Sequence, residues 1–170
     1  MRVGPLAPTL VLLAVALLTG PVLAQEEDVF RPCRRGDLIG LWRVVRFGFA
    51  LGATVDRTDP SYQPHQRYVF NANATMAYTA SDVPPTPEEH RALLLTPAPV
   101  TWAIDSRGRL LRQSPGAARV DRSECRVFTK VVRDPKSAVP VHVGDVLLTD
   151  QGEDERPITR RLLRKLRVAE

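Results

Sequence analysis

The sequence predicts an all-β fold: an eight-stranded antiparallel up-and-down barrel with one short helix. Three observations point there. From Gly40 onward the chain is a succession of short runs of β-branched, aliphatic and aromatic residues, separated by Gly, Pro, Asn and Asp clusters. Only one segment, around Pro87, carries strong helix punctuation. Seven strands would leave the first strand's edge open, whereas an eighth at the C-terminal end closes the sheet onto it.

Ahead of the first strand lie two segments of different character. Residues 1–24 have a basic start at Arg2, an apolar run from Leu10 to Leu18, the break Thr19-Gly20-Pro21 and small residues at Val22 and Ala24. This is the pattern of a secretory signal peptide cleaved after Ala24, and the run is shorter than the roughly 20 residues needed to span a bilayer. The expectation is a periplasmic or secreted protein with no transmembrane segment after cleavage. Residues 25–36 have no periodicity and read as an extended arm. The barrel domain takes up 37–168, and the roughly 146 residues left after cleavage suffice for one domain with a proper core.

The 24 basic and 19 acidic side chains are interspersed along the chain, and nearly all the basic ones are arginine. A nucleic-acid binder would concentrate its positive charge on one face, so no nucleic-acid partner is expected. Cys33, just before the first strand, and Cys125, inside a later one, are the two cysteines of an exported chain, and such a pair argues for a disulfide that staples the arm. Their spacing, with His65, His90 and His142 scattered, does not make a metal site.

The strands follow in order. Gly40 to about Leu51 places Leu41, Val45, Phe47, Phe49 and Leu51 on one face and Trp42 and Val44 on the other. Both faces are apolar, as in a barrel strand whose interior side is filled and whose outside packs under an arm or helix. A long polar loop, 53–66, follows and is the first place to look for a gate over an open end. The runs 67–70 and 76–79 flank Asn71-Ala72-Asn73-Ala74-Thr75 and form a hairpin, because Asn tolerates positive φ and bonds back to its own backbone. Thr86, Pro87 and Glu89 then supply cap, first-turn proline and capping box to a helix that Pro97 ends. At about two turns it must pack through Leu93 and Leu94 or Leu95 on a barrel end or flank.

Val100, Trp102 and Ile104 alternate with Thr101, Ala103 and Asp105, and Ser106-Arg107-Gly108 turns the chain into 109–113. Residues 124–132 alternate again, and 143–149 is the seventh strand. The last segment, 158–167, is ambiguous. Ile158, Leu162 and Leu166 lie at helical spacing with arginines opposite, which favours a basic amphipathic helix, while the strand count favours a closing strand.

Gly40-Leu41-Trp42 resembles the Gly-x-Trp of lipocalins and lipocalin-like barrels, and the eight spaced runs, short helix and disulfide to the arm are similar to bacterial lipocalin-like proteins over roughly Cys33 to Val168. The resemblance implies that Gly40 and Trp42 form the barrel floor and that an arginine of the last strand, Arg164 or else Arg160, packs across the indole. It implies a small hydrophobic or amphipathic ligand inside the barrel. The chain departs from classical lipocalins in its short length, its mid-chain helix and its partial second motif, Leu148-Thr149-Asp150.

No nucleophile elbow, zinc-protease motif or phosphate loop occurs, and the three histidines sit apart, so no enzyme activity, catalytic residue or cofactor is expected. Asp37 and Asp105 flank apolar runs as turn caps. Tyr68, Phe70, Tyr78 and Trp102 lie on alternating strands, where they either fill the core or line a ligand cavity. Two function classes lead: a ligand-binding barrel, and an interaction module, such as an inhibitor of an envelope enzyme, that meets a protein partner through loops 53–66 and 150–157; hydrolysis through His65 or His142 is a third, of low weight.

Overall fold

The computed structural model describes residues 28–167; the expected signal segment and the first residues of the arm lie outside them, as does Val168 at the end of the expected barrel domain. The described chain runs β1 (Phe30–Pro32), α1 (Arg35–Leu38), β2 (Gly40–Phe49), a single 3-10 turn at Pro60–Tyr62, β3 (Arg67–Phe70), β4 (Thr75–Thr79), α2 (Pro87–Leu95), β5 (Val100–Ile104), β6 (Leu110–Gln113), β7 (Asp121–Phe128), β8 (Val146–Gln151) and β9 (Pro157–Lys165). Each of β2 to β9 pairs antiparallel with the next, and β9 returns to β2 with Trp42 opposite Lys165 and Phe47 opposite Arg161. The result is a closed eight-stranded antiparallel barrel. The ambiguous last segment is therefore the closing strand, because β2 supplies the partner that a free helix would lack.

β2 explains why both of its faces are apolar. Trp42 and Val44 point into the barrel, while Leu41 and Val45 pack outside. A register shift between Val44 and Arg46 then changes the phase, so that Phe47 comes to lie beside the inward Arg161. A bulge of this kind inserts one residue and turns the following side chains to the opposite face. The strand thus reads as apolar throughout, although only one face at a time is interior, and the alternation expected for Phe47 and Phe49 is inverted.

The interior is packed at one end. Trp42, Phe70, Leu110, Val146, Leu148 and Leu163 are buried there with Leu38 from α1, which plugs the opening. Asp37 accepts the Arg34 N–H at 2.6 Å and holds both Arg31 amino groups at 2.7 Å, so a helix of four residues is fixed by its acidic cap. Cys33 and Cys125 form the expected disulfide, and β1 runs antiparallel to the C-terminal half of β7. The arm is pinned against the turn after β5: a Cβ at Gly108, whose φ is +77°, would meet the Pro32 Cβ at 2.5 Å.

Two layers cover the outside. α2 carries the expected capping box, with the Glu89 N–H donating to Thr86 Oγ1 at 3.2 Å and the Thr86 N–H donating to Glu89 Oε2 at 2.7 Å. It lays Leu93 and Leu94 on Leu41, Val69, Ala77 and Leu166, leaving Leu95 exposed. Beyond β7, Val132 and Val141 fold over Phe128, Leu147, Leu162 and Val45. No helix among the described residues is long and apolar enough to cross a membrane.

Candidate functional site

Toward the end opposite α1 the barrel interior changes from apolar to polar. The inward phase of β6 runs Leu110, Arg112; that of β7 starts Ser123, Cys125; that of β8 runs Val146, Leu148, Asp150; and that of β9 runs Thr159, Arg161, Leu163. Strand pairing puts the polar member of each series at the same level. Asp150 Oδ1 accepts from Arg112 Nη2 at 2.8 Å and from Ser123 Oγ at 2.5 Å, and its Oδ2 accepts from Thr159 Oγ1 at 2.7 Å and from Arg161 Nη1. Arg161 Nε donates to Gln66 Oε1 at 2.7 Å, and Gln66, wholly buried, anchors in turn to the Gln63 carbonyl at 3.0 Å.

Burial pushes the Asp150 carboxyl up, but the two guanidinium groups and the hydroxyls of Ser123 and Thr159 more than offset it and hold it below the usual carboxylate range. Asp150 is thus an anion between two cations, and the buried cluster carries one uncompensated positive charge. Several donors of the cluster are spare. Arg112 Nε is buried without a partner, Arg112 Nη1 donates to no protein atom among the described residues, and the remaining amino group of Arg161 faces the Tyr78 hydroxyl.

Beside this cluster lies a cavity of about 340 Å³. Tyr62, Tyr68, Met76 and Tyr78 form apolar wall, Arg112, Asp150 and Arg161 supply the charge, and exposed Ser114, Asp121 and Arg122 stand at the rim. The Arg112 and Asp150 side chains each keep 18% of their surface exposed, so the charged groups are reachable from the cavity. Burial pushes the Tyr68 hydroxyl up to about 12 and raises that of Tyr78 further, which keeps both phenols neutral donors.

The loop after β2 closes over this end. Tyr78 donates its hydroxyl hydrogen to the Ser61 carbonyl; Tyr62 stacks on Phe47 with centroids 5.7 Å apart, and the Arg161 guanidinium lies over both rings. The loop expected to gate the barrel is thus fastened to the site by Ser61 and Tyr62.

Of the four aromatics expected to line a cavity, Tyr68 and Tyr78 do so. Phe70 and Trp102 lie deeper, edge to face at 5.2 Å near the plugged end, and are core. At the floor, Trp42 Nε1 donates to the Leu38 carbonyl at 2.6 Å. The cation over the indole is Lys165, not Arg164 or Arg160. With Arg161 and Leu163 inward, the period of two sends Arg160 and Arg164 outside and Lys165 in. Arg164 instead grips Asp145 at 2.7 and 3.0 Å and the Pro140 carbonyl at 2.7 Å.

Arg112, Asp150 and Arg161 were not singled out by residue type, yet a signal exists: each is a charged residue in phase with an inward series that carries apolar residues on the same strand. Asp105 accepts from the Arg107 and Arg109 N–H groups, both at 2.9 Å, as a turn cap. His90 Nε2 accepts from Arg67 Nε at 3.1 Å on the barrel flank, and no group of three metal-ligating side chains occurs among the described residues.

The class these features define is a closed eight-stranded β-barrel compatible with a lipocalin-like architecture, with a polar cavity at one end. Comparison of the chain with models of protein families, with curated proteins and with solved structures gave no match.

Proposed function

We propose that this chain is an exported, non-enzymatic lipocalin-like barrel that binds a small amphipathic ligand in the cavity between Tyr68, Tyr78 and the Arg112–Asp150–Arg161 cluster. The observation that carries this reading is the division of the barrel into a packed half and a half that holds an open volume with both apolar wall and spare donors. Binding sites have this composition: apolar area supplies affinity and a few fixed polar groups supply orientation. At about 340 Å³ the volume is near the lower end for such sites, which selects a small ligand. The loop bearing Tyr62 would exclude water from a bound molecule.

The interaction-module reading draws on Leu51, fully exposed in the loop after β2. The rest of that loop packs back on the barrel through Ser61 and Tyr62, which leaves less of it free for a partner. Titration with the neutral dye N-phenylnaphthylamine, followed by the dye's own fluorescence because Trp42 and Trp102 lie in the packed half, tests the binding reading. A saturable one-site rise that Tyr68→Trp abolishes is expected. No saturation at micromolar dye, together with a protein that co-purifies in fixed ratio, would overturn it in favour of the interaction module.

A further inference from the structure

We infer that the ligand of this barrel is a small monoanion with a planar apolar body, its oxyanion seated on Arg112 Nη1 and the Tyr68 hydroxyl beside the Arg161 guanidinium. This deepens the binding reading and rests on it. Charge is the first argument. The buried cluster sets two guanidinium groups against one carboxylate; at the rim Asp121, opposite Arg112 and in the inward phase of β7, offsets part of that excess, while Arg122 is in the outward phase. One negative charge is the most that balance takes up, and a dianion would exceed it.

Donor supply is the second argument. Asp150 engages Arg112 Nη2 and Arg161 Nη1, Ser123 and Arg112 share the Asp150 Oδ1 side, and Gln66 takes Arg161 Nε. Arg112 Nη1 is left over, and the remaining amino group of Arg161 has only the Tyr78 hydroxyl beside it; Arg112 Nε is sealed away from the cavity. The Tyr68 hydroxyl likewise bonds to no protein atom among the described residues, although the side chain is 2% exposed. Buried donors are nearly always satisfied, and a cluster with several spare on one side is arranged for an acceptor from outside. Asp150 holds the guanidinium planes in place and takes up only one face of each, as an orienting carboxylate does for a bidentate site.

The walls select the rest of the molecule. Tyr62, Tyr68 and Tyr78 surround the volume with Met76 between them, and aromatic walls favour a flat aromatic body over a long flexible chain. A flat body also suits the limited volume, where a branched or extended ligand would have to displace the Tyr62 loop.

Calorimetric titration of the full-length exported protein with naphthaleneacetate and with naphthaleneethanol, which share a ring and differ in charge, tests the inference. The acetate is expected to bind at least about tenfold more tightly, as charge-assisted bonds exceed neutral ones. Arg161→Met, which leaves the buried cluster neutral, should bring the ratio of the two affinities toward one. Asp150→Asn, which leaves the two cations of the cluster without its carboxylate, should raise it. A loss of packing alone would move both variants the same way. Equal affinities in the native protein, or a ratio that neither substitution changes, would overturn the anion inference while leaving cavity binding intact. If neither compound binds, the binding reading falls and takes the inference with it. Should Arg161→Met fail to fold, the native ratio and the Asp150→Asn shift decide.

Discussion

Lys165 stretches over the indole of Trp42, its Nζ 5.7 Å from the ring centroid, and its stem passes so near Gly40 that a Cβ there would meet Lys165 Cε at 2.8 Å. Gly40 is also held at a φ of +129°, where L side chains are strained. The Gly-x-Trp at the start of β2 is therefore a backbone device with a lysine laid across it. Gly40→Ala should cost about 1 to 3 kcal/mol, most of it backbone strain. The overlap with Lys165 adds little, because Cε lies near the end of a flexible chain. Lys165→Ala in the Gly40→Ala background should restore at most about 0.5 kcal/mol, and Lys165→Ala alone should cost at most about 1 kcal/mol, the worth of an exposed cation over an aromatic face. Urea midpoints of the three variants check this. Full rescue by Lys165→Ala would show that the overlap, not the dihedral, fixes the glycine.

Arg164 acts on the other side of the same strand. Its pair with Asp145 has a carboxylate side chain only 3% exposed, which also accepts the His142 N–H at 2.8 Å. Arg164→Ala leaves that carboxylate without its cation and should destabilise by about 1 to 3 kcal/mol. The same substitution in an Asp145→Asn background should cost clearly less, since no charge is then stranded. Equal costs in the two backgrounds would mean that Arg164 contributes packing alone.

The contrast between these neighbours shows what the residues revealed in advance. Alternation, turn residues and the capping box of α2 are local rules, and they placed seven of the eight barrel strands within a few residues, while for 158–167 the local pattern favoured a helix. Closure was legible by counting, because an open edge is unfavourable wherever it falls. The phase of each strand was not. In β2 a bulge after Val44 reverses which side chains face inward, and a bulge leaves no mark in composition. In β9 the choice between Arg164 and Lys165 turns on a one-residue phase that only pairing with β2 fixes. The site was hidden for a related reason. Arg112, Asp150 and Arg161 are 11 and 38 residues apart from one another along the chain, as separations such as Arg161 to Asp150 and Asp150 to Arg112 show. They meet only because β7 pairs with both β6 and β8, and β8 in turn with β9.

The disulfide closes a segment of 92 residues, joining the arm to a strand on the far side of the sequence. The chain-entropy model assigns such a loop about 4 to 5 kcal/mol as an upper figure. Reduction, and Cys33→Ser in its place, should lower the melting temperature by similar amounts, because both release the same constraint. β1 and α1 should loosen first, and amide exchange at Arg31 and Leu38 would then accelerate before that of Leu148 and Leu163. Uniform acceleration across all four would mean that the arm and the barrel open as one unit.

Asp150 and Tyr68 put opposite signatures on the pH dependence of stability. The Asp150 pKa is lower folded than unfolded, so its contribution is present above the unfolded value of about 3.9 and is lost as pH falls through the folded value. Asp150→Asn leaves two buried guanidinium groups without an anion and should cost about 3 kcal/mol at neutral pH. A protonated Asp150 resembles Asn, so the gap between native and variant should close as the pH falls below the carboxylate range. Tyr68 runs the other way. Its pKa is raised to about 12, so the unfolded chain releases that proton first, and stability falls as pH rises from about 10 toward the folded value. Tyr68→Phe should remove up to about 2 to 3 kcal/mol of that alkaline loss. Denaturant melts of both variants across the pH range read the two effects separately. A constant Asp150→Asn gap down to the most acid pH would mean that Asp150 is already neutral between Arg112 and Arg161, and the cluster would then carry two positive charges instead of one.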